Sequence, residues 1–147
     1  MLVIRRVRNR EKKVWLTLRR SLWPLPKSTH RSDIKNLFGK RGFICLIAWN
    51  GNEAVGFAEA MIRPFANGCE WQPVPFLEGL YVKPASRRKR VGRELVKAIE
   101  SWAMKKGFHE LGSDAYLSAS VSHKAHRAYG FKEMERVVYF RKALGFS

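Results

Sequence analysis

Two apolar runs, Phe43 to Trp49 and Ala54 to Ile62, flank the segment Asn50-Gly51-Asn52-Glu53. An Asn-Gly pair between such runs supplies the positive φ angles of a tight hairpin, so the centre of the chain is committed to antiparallel strands. Everything else must pack on that pair. Met1 to Arg8 reads as a first strand, because its apolar run precedes its charges and no small-residue cleavage site follows, unlike a secretory signal. Phe76 to Val82 resumes strand character after a loop from Arg63 to Pro75 that holds Pro64, Gly68, Pro73 and Pro75. Loops of this length inside compact domains are often functional.

Helical periodicity fills the rest. Asn9 is placed to cap a helix carrying Val14, Leu18 and Leu22 on one stripe until Pro24 and Pro26 stop it, which leaves Trp23 at the exit and Pro24 to Thr29 as a loop. A second short helix is expected from Ser32-Asp33 to Gly39. Val91, Leu95, Ile99 and Trp102 define a third, and Ser118 to Tyr129 a fourth, ended by Gly130. Glu110 to Ser113 and Met134 to Arg141 read as the last strands, and Trp15, Trp49 and Trp102 as core. With 147 residues and a hydrophobic fraction of 46%, this is one α/β (α+β) domain over 1–147: a mixed central sheet with an antiparallel N-terminal meander, flanked by helices. No apolar run approaches the roughly 20 residues of a membrane span. Cys45 and Cys69 fit neither a disulfide framework nor a metal site, so a reduced, cytoplasmic protein is expected.

The charge is far from balanced. Against 29 Lys+Arg stand 12 Asp+Glu, a formal net charge of +17, which calls for an anionic partner. The densest block follows the strand Leu77-Glu78-Gly79-Leu80-Tyr81-Val82-Lys83-Pro84, as Arg87-Arg88-Lys89-Arg90-Val91-Gly92-Arg93. A basic turn opening into a helix offers free backbone N–H groups and the positive end of the helix dipole, a cradle for pyrophosphate. Five cations in seven positions also suit a solvated nucleic-acid patch. The block alone leaves both readings open.

The segment resembles the cofactor motif of the GNAT acyltransferases, Gln/Arg-x-x-Gly-x-Gly/Ala after a strand ending in Val-x-Pro, with Arg87, Val91 and Gly92 matching. The element order also resembles the GNAT fold. That resemblance implies acetyl-CoA, its pantetheine arm along the backbone of Leu80, Tyr81 and Val82 and its pyrophosphate on Arg88, Lys89, Arg90, Val91, Gly92 and Arg93. Arg90 stands where the motif has its central glycine, a residue suited to close approach of backbone and phosphate. Within the superfamily the chain is most similar to the aminoglycoside 6'-N-acetyltransferases. The similarity runs through Leu18 to Pro24, Gly56 to Ala60, Asn67 to Cys69, Phe76 to Gly79, Gly112 to Asp114 and Gly130 to Phe140. It implies an acceptor site of Trp23, Phe65, Glu78, Asp114 and Glu135, with Phe65 where the family usually has tyrosine, and it implies homodimers.

Taken on their own chemistry, a polycationic acceptor needs carboxylates to offset ammonium charge and an aromatic wall for the sugar face. Glu78, in the middle of an apolar strand, is the favoured carboxylate, since a buried unpaired acid is costly. Glu59 and Glu70 read as ion-pair members, and Trp71 as the loop aromatic to test. Acetyl transfer needs no covalent intermediate: Glu78 takes the ammonium proton, directly or through water, and a backbone N–H near Tyr81 or Val82 polarises the thioester. His126 occupies the position four residues before Gly130-Phe131 where many family members place a tyrosine acid; a packing histidine is the alternative there, and Tyr129 and Tyr139 are further donors. Two rival functions remain at this stage: a GNAT enzyme for another small amine, such as a peptide, a lysine or a polyamine, and a nucleic-acid-binding module, for which no reading motif is found.

Overall fold

The computed structural model describes residues 1–145. It divides into two compact units, Met1–Asp114 and the remainder from Ala115.

In the first unit four strands form an antiparallel sheet in the order β1 (Leu2–Arg6), β2 (Phe43–Asn50), β3 (Glu53–Arg63) and β4 (Val74–Val82). The expected hairpin is present, with Gly51 at φ +61° in its turn. Beyond β4 the predicted strand at Glu110 to Ser113 is reduced to one parallel bridge, Phe76 with Gly112, so the sheet is mixed only there. Helices cover both faces. Trp15 and Leu18 of α1 (Lys12–Leu22) and Ile34 of α2 (Lys27–Leu37) pack with Phe43, Cys45, Ile47 and Phe57, and the Trp15 ring stacks on Phe43 at 6.0 Å. On the other face α3 (Val91–Lys105) buries Val91, Leu95, Val96, Ile99 and Trp102, the stripe its periodicity predicts. Core truncations such as Leu95→Ala cost about 2–5 kcal/mol in settings like this.

Two helix boundaries differ from expectation. Arg8, not Asn9, precedes the first helical turn, because Glu11 reaches back to accept from the Arg8 N–H at 2.8 Å. The stretch taken as a loop up to Thr29 is already helical from Lys27. Pro26 stands just before the first turn, where no amide hydrogen is needed, and so starts α2 rather than preventing it.

β4 contains the irregularity on which the site depends. Glu59 pairs with Gly79 and Ala60 with Leu77, which leaves Glu78 as an extra residue with no partner position on β3. This is a β-bulge, a device that bends a strand and re-aims a side chain. Gly79 is required beside it, because a Cβ there would lie 2.5 Å from the Trp23 ring.

The second unit holds α4 (Ser120–Ala128), ended by Gly130 at φ +92° with the Phe131 N–H donating to the His126 carbonyl at 2.9 Å. The strand expected at Met134 to Arg141 does not form. Val137-Val138-Tyr139-Phe140 is a continuous apolar run rather than an alternation, and such a run becomes a strand only when another strand pairs with it.

Candidate functional site

Glu78 is not the unpaired acid that its apolar surroundings suggested. Arg63, at the end of β3, donates to it from Nε at 2.7 Å and from Nη2 at 2.6 Å, a two-pronged pair. The guanidinium also lies 3.6 Å from the centre of the Phe76 ring. Hydrogen bonding to Glu78 holds Arg63 above the ordinary arginine range against the opposing effect of burial, with further support from the charges of Glu78 and Asp114. Arg63, Glu78 and Asp114 therefore form one electrostatic group, with Arg63 the member that sequence reasoning missed. Its signal was weak: a strand-end arginine opposite Val74, which reaches Glu78 only once β3 and β4 are paired.

Among the described residues the most deeply buried acid is Glu59, 2% exposed. It accepts from Arg19 Nη1 at 2.6 and 2.7 Å and from Trp15 Nε1 at 2.8 Å, which is the ion-pair role expected for it. Burial pushes its carboxyl up, against the lowering effect of Arg19 and Trp15. Arg19 continues to Asp33 at 3.0 Å and donates from Nε to His30 Nδ1 at 3.2 Å. That bond fixes the tautomer, so His30 Nε2–H donates to the Trp23 carbonyl at 2.8 Å. Arg19 also lies 4.8 Å from the Trp23 ring, which meets Phe57 edge-on. Trp23 is thus held over Gly79, next to the bulge, by a network buried in α1, α2 and β3.

The other acceptor candidates scatter. Phe65 is exposed in the loop after β3. The Trp71 ring leans on Phe108 and His109, at 5.9 and 5.7 Å, and its backbone N–H donates to Glu110 at 2.8 Å. Glu70 likewise gives its backbone N–H to Glu110. Glu135, in the second unit, is exposed. His126 Nδ1 lies 2.7 Å from the Ser122 carbonyl, and its ring meets Phe131 at 5.2 Å. A groove of about 890 Å³ elsewhere in the first unit holds no candidate residue; Lys13, Arg20, Lys27 and Arg31 are among those lining it.

At the end of β4 the chain turns through Pro84–Ser86, and Arg87 Nε donates to the Val82 carbonyl at 2.8 Å. Arg87 is thus a strut of the turn. Arg88 and Arg90 adopt left-handed backbone, φ +62° and +67°, before α3 begins at Val91. Two such residues in a three-residue stretch curl the backbone so that its N–H groups converge ahead of a helix N-terminus, with exposed Arg88, Lys89, Arg90 and Arg93 around them. Leu80, Tyr81 and Val82 lie on the β4 edge beyond the Gly112 bridge, where no further strand is paired among the described residues. These features suit a ligand with an amide-bearing arm and a pyrophosphate.

A bulged strand that opens into a basic, left-handed turn at a helix start defines a protein that binds a phosphorylated acyl carrier. The chain belongs to the acetyltransferase (GNAT) family, which residues 10–131 match. An aminoglycoside N(6')-acetyltransferase type 1 of Klebsiella aerogenes is 43% identical over 97% of each chain. The enzyme of the same description from Acinetobacter haemolyticus is 41% identical over 90% of this chain and 92% of its own. Among solved structures, the AAC(6')-Ih 6'-N-acetyltransferase of Acinetobacter baumannii superposes with a TM-score of 0.94 at 37% identity, over 99% of this chain and 100% of its own. AAC(6')-Iy, solved with a CoA-linked acetylneamine bisubstrate analogue, gives 0.93 at 36% identity over 98% and 99%. The fold, acetyltransferase class and use of acetyl-CoA follow from the family.

Proposed function

We propose that this chain transfers the acetyl group of acetyl-CoA to the 6'-amino group of aminoglycosides. The carrying observation is the grouping at the β4 bulge: Glu78 re-aimed out of the ladder, Asp114 in electrostatic reach of the same guanidinium, and Trp23 seated over Gly79. A grouping of two acids beside an aromatic ring on a chain of net charge +17 is a local exception that a cationic sugar would need. Phe65 and Trp71 of the loop after β3 join the proposed acceptor set, and the relatives' shared description as 6'-N-acetyltransferases supports the acceptor.

In this reading the exposed Arg88, Lys89, Arg90 and Arg93 and the N–H groups before Val91 and Gly92 hold the pyrophosphate, while the edge of Leu80, Tyr81 and Val82 pairs with the pantetheine arm. Acetyl-CoA supplies an activated thioester. Glu78 takes a proton from the acceptor ammonium, the freed amine forms the new C–N bond, a backbone N–H near Tyr81 or Val82 offsets charge on the thioester oxygen, and His126 gives a proton to the departing sulfur. An acceptor panel of 6'-amino aminoglycosides, 6'-hydroxy analogues, peptides and polyamines, read by free-thiol release, tests the assignment. Turnover with the 6'-amino compounds and none with their 6'-hydroxy analogues is expected; turnover confined to peptides or polyamines would reject it. Glu78→Gln retaining parental kcat/KM at every pH would remove Glu78 as base.

The same reading includes a cytoplasmic homodimer. Met134, Val138, Tyr139 and Phe140 are between 61% and 92% exposed in a stretch without regular secondary structure, and a second copy of this chain is the partner proposed to cover it. Removing residues 132–147 should halve the mass measured by sedimentation equilibrium. A full-length chain already monomeric would refute the dimer.

A further inference from the structure

Two Arg–Glu pairs involve neighbouring acids of the sheet, Glu59 on β3 with Arg19 of α1 and Glu78 at the β4 bulge with Arg63 of β3, and they differ in access. Arg19–Glu59 is sealed, with side chains 7% and 3% exposed. Arg63–Glu78 is open, at 38% and 22%. The sealed pair also receives a hydrogen bond from Trp15. The open pair has one guanidinium, which occupies both carboxylate oxygens at 2.6 and 2.7 Å. The two prongs take one lone pair of each oxygen and offset the carboxylate's charge, so an incoming ammonium competes with the guanidinium for Glu78. In the clasped state the guanidinium also lies 3.6 Å from the centre of the Phe76 ring and feels the charge of Asp114. Glu78 is not its sole partner.

We propose that Arg63 is the resident cation of the acceptor site, clasping Glu78 in the free protein and yielding it to the substrate ammonium on binding. The proposal rests on the assignment of Glu78 to the acceptor site. Arg63 is then a specificity residue: an amine must arrive charged, and with enough additional contacts, to displace a two-pronged guanidinium. A neutral or weakly held amine leaves the clasp closed. Because a closed clasp lowers apparent affinity by the fraction of molecules that are open, a clasp closed about nine-tenths of the time raises acceptor KM roughly tenfold.

The test is steady-state kinetics with a 6'-amino aminoglycoside on Arg63→Met, Arg63→Lys, Glu78→Gln and the Arg63→Met/Glu78→Gln double variant, each checked for folding by acetyl-CoA titration. Arg63→Met is expected to lower acceptor KM about tenfold, and Arg63→Lys, which keeps the charge but loses the two-pronged grip, severalfold. In the Glu78→Gln background the effect of Arg63→Met should vanish, whereas a general relief of charge repulsion would persist there. Acceptor KM unchanged or raised in Arg63→Met, or a loss of kcat instead, while Glu78→Gln is impaired, overturns the clasp alone. Should Arg63→Met not fold, Arg63→Lys with KM at or above the parental value overturns it equally. Parental kinetics in Glu78→Gln would instead remove Glu78 from the acceptor site, and the clasp with it.

Discussion

Arg90 shows at the scale of one residue what the turn before α3 costs. A side chain at φ +67° brings its Cβ close to backbone, a conformation glycine enters freely and other residues enter at about 1–2 kcal/mol. The family's motif has glycine there, and this chain keeps the backbone shape while carrying the strain. Arg90→Gly is therefore expected to stabilise the fold by roughly 0.5–1 kcal/mol, the relief being partly offset by a freer unfolded chain. It should also lower the acetyl-CoA KM, because a Cβ no longer stands between the turn and the pyrophosphate. Thermal melting and cofactor titration check the two effects separately. A higher KM in the variant would mean that the guanidinium contributes more to phosphate binding than its Cβ obstructs.

At the scale of elements, the junction of β1 and α1 is set by one carboxylate. Glu11 accepts from both Arg5 Nη groups, at 2.9 and 2.7 Å, and from the Arg8 N–H, and is itself 8% exposed. Hydrogen bonding from Arg5 pulls its carboxyl below the usual glutamate range, against desolvation. A carboxyl whose folded-state pKa is depressed stabilises fully above its unfolded value, near 4.3, and loses that contribution as the pH falls through the folded value. Glu11→Gln should cost about 2 kcal/mol at pH 7, and the gap to the parent should close below about pH 4. Paired melting curves across pH check it; a gap independent of pH would assign the loss to packing. The elements themselves were legible wherever one face repeats: the α3 stripe and the Asn50-Gly51 hairpin are local signals. What was not legible depended on distant partners. The Met134 to Arg141 run needs a strand its own chain does not pair with it. Glu78 read as an unpaired acid because its partner Arg63 lies fifteen positions earlier on the neighbouring strand, and only the pairing of β3 with β4 brings the two together. Glu59 and Arg19 were separately visible, but only the packing of α1 on β3 joins them.

For the whole molecule the charge of +17 sets two ligands against each other. In the proposed arrangement acetyl-CoA, which carries phosphates, meets the exposed cations before α3, so both the long-range field and the local contacts attract it. An aminoglycoside would be repelled by that field and attracted only close to Glu78 and Asp114. Screening separates the two contributions, because the Debye length falls from about 30 Å at 0.01 M salt to about 8 Å at 0.15 M, while close, partly buried pairs are screened much less. Raising salt over that range is expected to raise the KM for acetyl-CoA, and to raise kcat/KM for a polycationic acceptor measured at saturating acetyl-CoA, as the repulsion is removed faster than the local attraction. A neutral inert salt, with the two KM values measured independently, provides the test. If acceptor kcat/KM fell in parallel with cofactor affinity, the acidic region guiding the acceptor would have to extend well beyond Glu78 and Asp114, and the local-capture picture would fail.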